Sequence, residues 1–398
     1  MQSATTIIIR RSRVLRLNRL FLLSLLALVT AACSDSDSSD RPPVPPPEPV
    51  QPAFDFAAVD ERMQQFVDEA ADFDGVSYIL VDAQWGVIHK QAFGDHTEDL
   101  VTQLASGSKV PAVTLLMAID GDESLNFSVS DPIGQYLPWD GLFADRTTEQ
   151  LLSNTSGMVG LTDILADTVT YWPLACQFFP EGTLQACAET LYVTDVPGIV
   201  PAGTEYNYGG SQWQLAGAVA EIATNSSWSQ AFDAYIAQPC ELEVMQFGNP
   251  WSNFESFDGN PDSLQGKDNP NIEGGAISDL DDYAKMLMLH LNDGMCGGNQ
   301  VLAPGATAFM REDRGGEFGT PYGMGWFISV PEDGSEPTLF TDPGLFGHTA
   351  WVDIERGIGG FVAVDTYALG TSGPVRELVD GEIIEMIAAE VDRARAEQ

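Results

Sequence analysis

The chain has 398 residues, of which 44% are hydrophobic and 19% charged, a composition typical of a globular protein rather than a disordered one. Acidic residues outnumber basic ones by 58 to 18, and the formal net charge of -40 excludes nucleic acid and anionic lipid headgroups as partners. The acids are spread along the chain without a calcium-binding loop or a zinc-ligand cluster, so we expect a strongly hydrated surface and no metal.

Residues 1–32 have the layout of a secretory signal. Five of the 18 basic residues lie at positions 10–19, an apolar run follows at 20–29, and two alanines precede Cys33. The run is too short to span a bilayer as a permanent helix. Its ending resembles the lipobox of bacterial lipoproteins, which implies cleavage before Cys33, lipidation of Cys33 and a periplasm-facing outer-membrane location. The alternative is ordinary cleavage nearby without a lipid.

Residues 33–52 are rich in serine and aspartate and then in proline, so we expect them to form an extended tether. The tether would join the lipid, which is the only membrane attachment we expect, to a folded domain at 53–398. Export places the other four cysteines in an oxidising compartment, where they allow three disulfide pairings. The short loop between them favours a bond of Cys176 with Cys187, and this leaves Cys240 with Cys296.

Hydrophobic periodicity then predicts the elements of the folded domain. In chain order they are a helix at 57–71, a β-hairpin at 76–93 with its turn at 82–85, a buried helix at 110–119, a mostly helical region at 110–290, strands at 323–330 and 359–364, and an amphipathic helix at 375–396. Strands near both ends predict an α+β fold, in which one antiparallel sheet is built from both termini and flanked by helices. A helical subdomain at roughly 110–290 would lie beside it, with a site in the cleft between them.

The four residues from Ser106 to Lys109 fit the S-x-x-K pattern of serine nucleophiles. If Ser106 opens a helix, Lys109 lies one turn later on the same face, and its amine can approach the hydroxyl. The apolar residues after Lys109 predict that it is buried, and burial lowers the pKa of a lysine towards a form that accepts a proton. A helix-capping serine with a solvated lysine is the other interpretation, and the predicted burial argues against it.

Five further segments with recognisable motifs follow the S-x-x-K pattern along the chain. They are SVSDPIGQYLP at 128–138, LLSNTSGM at 151–158, PAGTEYNY at 201–208, GGAISDLDD at 274–282 and YGMGW at 322–326. Together with S-x-x-K they resemble the class C β-lactamase-related serine hydrolases, which include β-lactamases, D-alanyl-D-alanine carboxypeptidases and family VIII esterases. The resemblance spans about 55–395 and implies a β-lactamase/penicillin-binding-protein-like fold and a covalent acyl-enzyme. No nucleotide-binding fingerprint occurs, and we expect no cofactor.

The family's second motif, Y-x-N, falls on Tyr208, with Gly210 in place of the asparagine. The resemblance implies that Tyr208 relays protons between Ser106, Lys109 and the leaving group. Glycine has no side chain to bind the lysine or the substrate, and this argues against β-lactamase activity. Tyr206 is the alternative phenol.

The family's third motif, K-T-G or H-x-G on an edge strand, matches FGHTAW at 346–351. The resemblance implies that His348 and Thr349 contact a substrate carboxylate or the tyrosine. Ala350 replaces the glycine of the motif, and its N–H would complete an oxyanion hole with that of Ser106. A Ser-His-Asp triad of the α/β-hydrolase type is disfavoured because no G-x-S-x-G occurs.

These residues predict a serine hydrolase that acts through an acyl-enzyme on a small-molecule ester, amide or peptide. The missing asparagine and the missing K-T-G lysine favour a carboxylesterase or a D-amino-acid peptidase over a β-lactamase, which is one alternative. The other alternative is an inactive binding protein of the same fold that holds a ligand at the envelope, and Gly210 keeps that alternative open.

Overall fold

The computed structural model describes residues 49–70, 73–367 and 372–397. The predicted signal, the lipidation site Cys33 and most of the tether lie outside these residues. Residues from Gln51 onward form one compact unit. Within the described ranges, no helix combines the length and the apolar character needed to cross a bilayer.

The longer strands lie towards both ends of this unit, and most of the helices lie between them. In chain order, the strands are β1 (Gly75–Asp82), β2 (Gly86–Gly94), β3 (Thr102–Gln103), β4 (Gln246–Phe247), β5 (Ala276–Ser278), β6 (Met295–Cys296), β7 (Asn299–Gln300), β8 (Phe327–Ser329), β9 (Leu339–Pro343), β10 (Thr349–Asp353) and β11 (Ile358–Ala363). The α-helices are α1 (Ala57–Glu69), α2 (Lys109–Asp120), α3 (Thr148–Leu152), α4 (Leu161–Ala166), α5 (Leu184–Val193), α6 (Ser211–Thr224), α7 (Trp228–Phe232), α8 (Gln238–Cys240), α9 (Leu280–Leu291), α10 (Ala306–Arg311), α11 (Ser372–Leu378) and α12 (Ile384–Ala396).

The main sheet has six antiparallel strands in the order β2-β1-β11-β10-β9-β8. The N-terminal hairpin β1–β2 is hydrogen-bonded to the C-terminal strand β11, with Ile79 opposite Phe361. The tight turn of the hairpin is stabilised by Asp82, whose carboxylate accepts a hydrogen bond from the Gln84 N–H at 2.8 Å. The predicted α+β fold, with a sheet built from both termini, is therefore confirmed.

Helices cover both faces of the sheet, and for this reason every residue of β1 is buried. Tyr78 and Leu80 face the cluster formed with α1 and α12, whereas Ile79 and Val81 face the larger core that contains α2 and α9. Tyr283 of α9 stacks on the sheet residue Phe361 with ring centroids 4.2 Å apart. The larger core continues through the helices between β3 and β8, where both predicted disulfides, Cys176–Cys187 and Cys240–Cys296, are confirmed.

The position of β10 differs from the sequence prediction. The segment that contains Thr349 and Ala350 was expected on a sheet edge, but β10 is an interior strand, paired with β11 on one side and with β9 on the other. Strand β9 was not predicted, because Asp342 and Pro343 are both residues that strands disfavour. The strand that reaches a free edge beside the nucleophile is therefore β9 rather than β10.

Candidate active site

Ser106 lies in a single 3-10 turn, Ala105–Ser108, that joins β3 to α2. Ala105 has a φ of 41°, which is a left-handed conformation that a non-glycine residue rarely adopts and that marks a strained turn. Helix α2 begins at Lys109, so Pro111 falls in its first turn, where the missing N–H costs no helical hydrogen bond. Ser106 is half-buried and lies at the N-terminal end of a buried helix.

Buried hydrogen bonds hold this turn from beneath. The Ser108 hydroxyl accepts a bond from the Ala276 N–H at 2.9 Å, and the Leu104 N–H donates to the Ala276 carbonyl at 2.8 Å. The hydroxyl of Tyr283 donates to the carbonyl of Gly107 at 3.3 Å. The predicted GGAISDLDD segment thus supports the nucleophile turn with its backbone.

Lys109 is fully buried, as its apolar surroundings predicted. Its Nζ donates to the carbonyl oxygen of Glu273 at 3.0 Å, and it lies 3.5 Å from Oε2 of the same residue. The Nζ is also 4.6 Å from the centroid of the Tyr208 ring and 5.3 Å from that of Trp213. The fold therefore brings the lysine of S-x-x-K and the tyrosine of the second motif into contact.

The charge state of Lys109 is opposite to the sequence expectation. Burial lowers the pKa of Lys109, but the nearby acidic groups of Tyr208, Glu273 and Asp342 outweigh this, and the pKa is raised. The sequence argument counted burial alone, because the two carboxyl groups lie 164 and 233 positions further along the chain. Lys109 is therefore an ammonium ion in the resting site.

Asn154, within the LLSNTSGM segment, holds the loop that carries Tyr208. Its side-chain oxygen accepts bonds from the Gly209 N–H at 2.9 Å and from the Trp213 indole at 3.0 Å. Its backbone carbonyl accepts from the Asn207 N–H at 2.8 Å. Asn154 is fully buried and has a φ of 62°, so its own conformation is fixed by the same contacts. The family segment therefore positions the tyrosine and does no chemistry itself.

Tyr208 is better placed for proton transfer than Tyr206. Tyr208 is half-buried and stacks on Phe327 with centroids 5.7 Å apart, which leaves its ring beside Lys109. The hydroxyl of Tyr206 is buried, and desolvation raises the pKa of Tyr206 far above its ordinary value. A phenol that resists ionisation to that extent is a poor proton carrier.

Gly210 ends the Tyr208 loop and precedes helix α6. Its φ of 85° and ψ of -158° belong to a region that only glycine occupies readily. Its N–H donates to Oε2 of Glu273 at 2.9 Å. The glycine in the asparagine position thus contacts a carboxylate that the motif search did not identify.

His348, Thr349 and Ala350 are all fully buried. The ring of His348 packs against Gly107 and Gly344, behind the nucleophile turn, and desolvation lowers its pKa to about 3, so it is neutral. Ala350 is paired with Asp342 on one side and Phe361 on the other, and its N–H is used within the sheet. The prediction that Ala350 supplies the oxyanion donor is therefore wrong, because an interior strand has no free edge. The contact of His348 and Thr349 with substrate stays a prediction.

The end of β9 is the free edge that borders the nucleophile. Strand β8 pairs with β9 only as far as Thr341, and beyond this point β9 packs against the turn of Ser106. The Gly344 N–H donates to the His348 carbonyl on the β10 side, and a turn from Gly344 to Gly347, closed by the Gly347 N–H, follows the end of β9. Within this turn the Leu345 N–H has no backbone partner among the described residues, and the Ser106 N–H has none either.

Sequence reasoning missed Glu273 and the end of β9. Glu273 directly precedes the GGAISDLDD segment, and this position beside a recognised motif is the only signal in the sequence that points to it. Among the described residues, no group of histidine, cysteine and acidic side chains has the geometry of a metal site. The site therefore consists of one serine, one lysine, one tyrosine and a buried glutamate.

Comparison with known proteins places this geometry in context. The family model described as Beta-lactamase matches residues 59–381. Penicillin-binding protein 4 of Amycolatopsis lactamdurans is 27% identical over 267 residues, which cover 61% of this chain and 66% of that protein. The chain thus spans just under two thirds of the length of that curated relative.

Three solved structures share the fold at low sequence identity. EstCE1, described as a hydrolase with promiscuous acyltransferase activity, has a TM-score of 0.67 at 19% identity and covers 84% of this chain and 97% of its own. A penicillin-binding protein homologue from Caulobacter crescentus has a TM-score of 0.61 at 17% identity, with 84% and 97% covered. A D-stereospecific amidohydrolase from Streptomyces sp. has a TM-score of 0.57 at 18% identity, with 81% and 98% covered.

Proposed function

Because the chain belongs to the β-lactamase family, we propose that it is a serine hydrolase that cleaves an ester or an amide through an acyl-enzyme on Ser106. The observation that carries this proposal is the position of the Lys109 ammonium, one helical turn from Ser106 and 4.6 Å from the Tyr208 ring. A binding protein has no need of a buried, charge-balanced lysine beside a half-exposed serine.

In the first half of the reaction, Oγ of Ser106 forms a bond to the carbonyl carbon of the substrate. Tyr208, with the Lys109 ammonium beside it, is the general base that takes the serine proton. As the tetrahedral intermediate collapses, the bond to the leaving group breaks and Tyr208 returns the proton to that oxygen or nitrogen. Lys109 keeps its own proton throughout and stabilises the negative charge on Tyr208.

In the second half, water attacks the acyl carbon and gives its proton to Tyr208. The bond to Ser106 breaks, and Oγ recovers a proton from Tyr208, which restores the resting site. The N–H groups of Ser106 and Leu345 supply the oxyanion hole in both halves of the reaction. Neither N–H has a backbone partner among the described residues, and they lie where the end of β9 meets the turn of Ser106.

The substrate is a carboxylic ester or the amide of a D-amino acid rather than a β-lactam. The second motif lacks its asparagine, and the end of β9 presents the buried Asp342 where the family places a K-T-G lysine. Both side chains that would bind the polar groups of a β-lactam are therefore missing. An inactive binding protein is disfavoured, since the structure retains the lysine–tyrosine contact.

The proposal is tested with a fluorophosphonate probe and with short-chain p-nitrophenyl esters, a β-lactam and D-amino-acid amides as substrates. We expect covalent labelling and ester or amide turnover in the wild type, and neither in Ser106→Ala. Ser335→Ala, which removes a hydroxyl from an exposed loop, is the matched control and should keep both. Labelling that survives in Ser106→Ala would disprove the assignment of the nucleophile, and an unlabelled, inactive wild type would disprove the hydrolase.

We further propose that the protein is exported and anchored by a lipid on Cys33. The two disulfides support export to an oxidising compartment. Metabolic labelling with a fatty-acid analogue should mark the wild type and not Cys33→Ala, whose product should leave the membrane fraction. Equal labelling of both would rule out a lipid on Cys33.

A further inference from the structure

Glu273 contacts the catalytic lysine with both its backbone and its side chain. The carbonyl oxygen accepts a hydrogen bond from Lys109 Nζ at 3.0 Å, and Oε2 lies 3.5 Å from the same nitrogen. Glu273 is 3% exposed, and its Oε1 has no hydrogen-bond partner among the described residues. A buried carboxylate with one free oxygen is costly to keep unless the group it faces makes use of it.

The backbone around Gly210 explains why the asparagine is absent. With a φ of 85° and a ψ of -158°, a side chain at this position would be strained, and its Cβ would come within 3.0 Å of the Val159 carbonyl oxygen. A Cβ on the preceding Gly209 would lie 2.4 Å from Oε2 of Glu273. Gly209 thus makes room for the carboxylate, and the Gly210 N–H binds it at 2.9 Å.

We infer that Glu273 is a positioning residue for Lys109 and replaces the missing asparagine of the second motif. Its side chain approaches the lysine from the segment before β5, and it is held there by the Gly210 N–H and by the space beside Gly209. The inference rests on the proposed hydrolase function and adds to it the group that keeps Lys109 in place. Glu273 acts through Lys109 and need not touch the substrate.

A carboxyl group differs from an amide in one respect that can be measured, because it can carry charge. Burial raises the pKa of Glu273, and the Lys109 ammonium and the Gly210 N–H act in the opposite direction by favouring the charged form. The groups that face Lys109 are Tyr208 from the α6-capping loop, Glu273 from the segment before β5 and Asp342 from β9. Each of these acidic groups raises the pKa of Lys109 against the effect of burial. Removing one of them lowers the pH at which the ammonium is lost.

Glu273→Gln keeps the size and the hydrogen-bond acceptor but removes the charge. We expect the alkaline limb of kcat/KM, and of fluorophosphonate labelling, to move by about one pH unit to lower pH. Glu273→Ala removes the acceptor as well and should lower kcat roughly 10- to 100-fold with little change in KM, whereas Glu273→Gln should retain more of kcat at low pH.

The matched control is Glu221→Gln on α6. Glu221 is part-buried and, like Glu273, accepts a backbone N–H, that of Trp228 at 2.8 Å, and Lys109 is not among the groups that shift its pKa. This variant should leave the pH profile unchanged. If the role of Glu273 is purely structural, Glu273→Gln should lower the amount of folded enzyme and leave both limbs of the pH profile in place. An alkaline limb that does not shift in Glu273→Gln therefore overturns the inference.

A second measurement does not depend on activity. In the full chain, Glu273→Gln, Lys109→Met and the double variant form a cycle of unfolding equilibria. We expect a coupling of about tenfold in the unfolding constant, because each single variant leaves a buried charge without its partner. If the two substitutions are coupled but the wild type hydrolyses no substrate, the hydrolase function is refuted and the interaction of Lys109 with Glu273 stands. If the two substitutions act independently on stability, the interaction of Lys109 with Glu273 is refuted.

Discussion

At the scale of single residues, the site depends on the acidic groups that balance the charge of the buried Lys109 ammonium. Lys109 has no access to solvent, and the groups that keep it charged come from three separate parts of the chain. This balance assigns the lysine to electrostatic stabilisation and the tyrosine to proton transfer. It also explains why the two residues must touch, since a charge on Tyr208 is stabilised only by a neighbour that stays positive.

Tyr208→Phe tests this division of roles. The substitution keeps the ring that Lys109 contacts and removes the oxygen that carries the proton. We expect kcat to fall by about 10²- to 10⁴-fold, measured with the best ester substrate, with a smaller change in KM. Tyr206→Phe is the control and should retain activity within a few-fold. A larger loss of kcat in Tyr206→Phe than in Tyr208→Phe would show that Tyr206, and not Tyr208, transfers the proton.

The sequence identified Ser106, Lys109 and Tyr208 because the motifs that carry them are local, with fixed spacing around each residue. Glu273 could not be identified in the same way. Its role arises from a contact across 164 positions, and glutamate is not the residue that the family motif calls for. Only a packed structure shows that Gly209 leaves room for it and that the Gly210 N–H binds it.

At the scale of elements, the end of β9 and the turn of Ser106 form one unit around His348. The imidazole fills the space between Gly107 and Gly344, and an added Cβ on Gly107 would lie 2.3 Å from its Nε2. The three nearest atoms to that Cβ all belong to His348. A side chain predicted to bind substrate is therefore the packing contact that sets the position of the nucleophile turn.

Gly107→Ala should destabilise the protein because the new methyl group overpacks this contact, by about 1–3 kcal/mol. In a His348→Ala background the same substitution should cost less than about 1 kcal/mol, since the opposing ring is gone. Urea denaturation of the four chains measures both values. Gly381→Ala, where no atom lies within 4 Å of the added Cβ, serves as control. Equal costs in both backgrounds would show that His348 does not support the turn.

The hairpin, the helix after Ser106 and the closing helix could be predicted because each is marked by an apolar run or an apolar period. The place of β10 could not, since the residues from His348 to Ala350 match the family's edge-strand motif in composition alone. Whether a strand is interior or at an edge depends on its neighbours, and the end of β9, which β8 leaves unpaired beyond Thr341, consists of residues that disfavour strands. Strand order was the missing information.

At the scale of the whole molecule, the excess of acid determines how stability depends on the medium. The mature chain proposed here would keep 58 acidic residues against 13 basic ones, because five arginines leave with the signal. Most basic side chains of the described part are already in ion pairs, as at Arg356, which lies within 3.0 Å of Asp392. The remaining acids repel one another across the surface, and this repulsion opposes folding.

Sodium chloride should therefore raise the melting temperature, by roughly 5 °C between about 0.01 and 0.3 M, because the screening length falls from about 30 Å to less than about 10 Å in this range. Differential scanning calorimetry of the full mature chain measures the shift, and a neutral osmolyte at equal osmolality is the control. A rise that saturates well below 1 M identifies screening of surface charge. A flat response would mean that the acids are too far apart to interact, and the excess charge would then serve hydration alone.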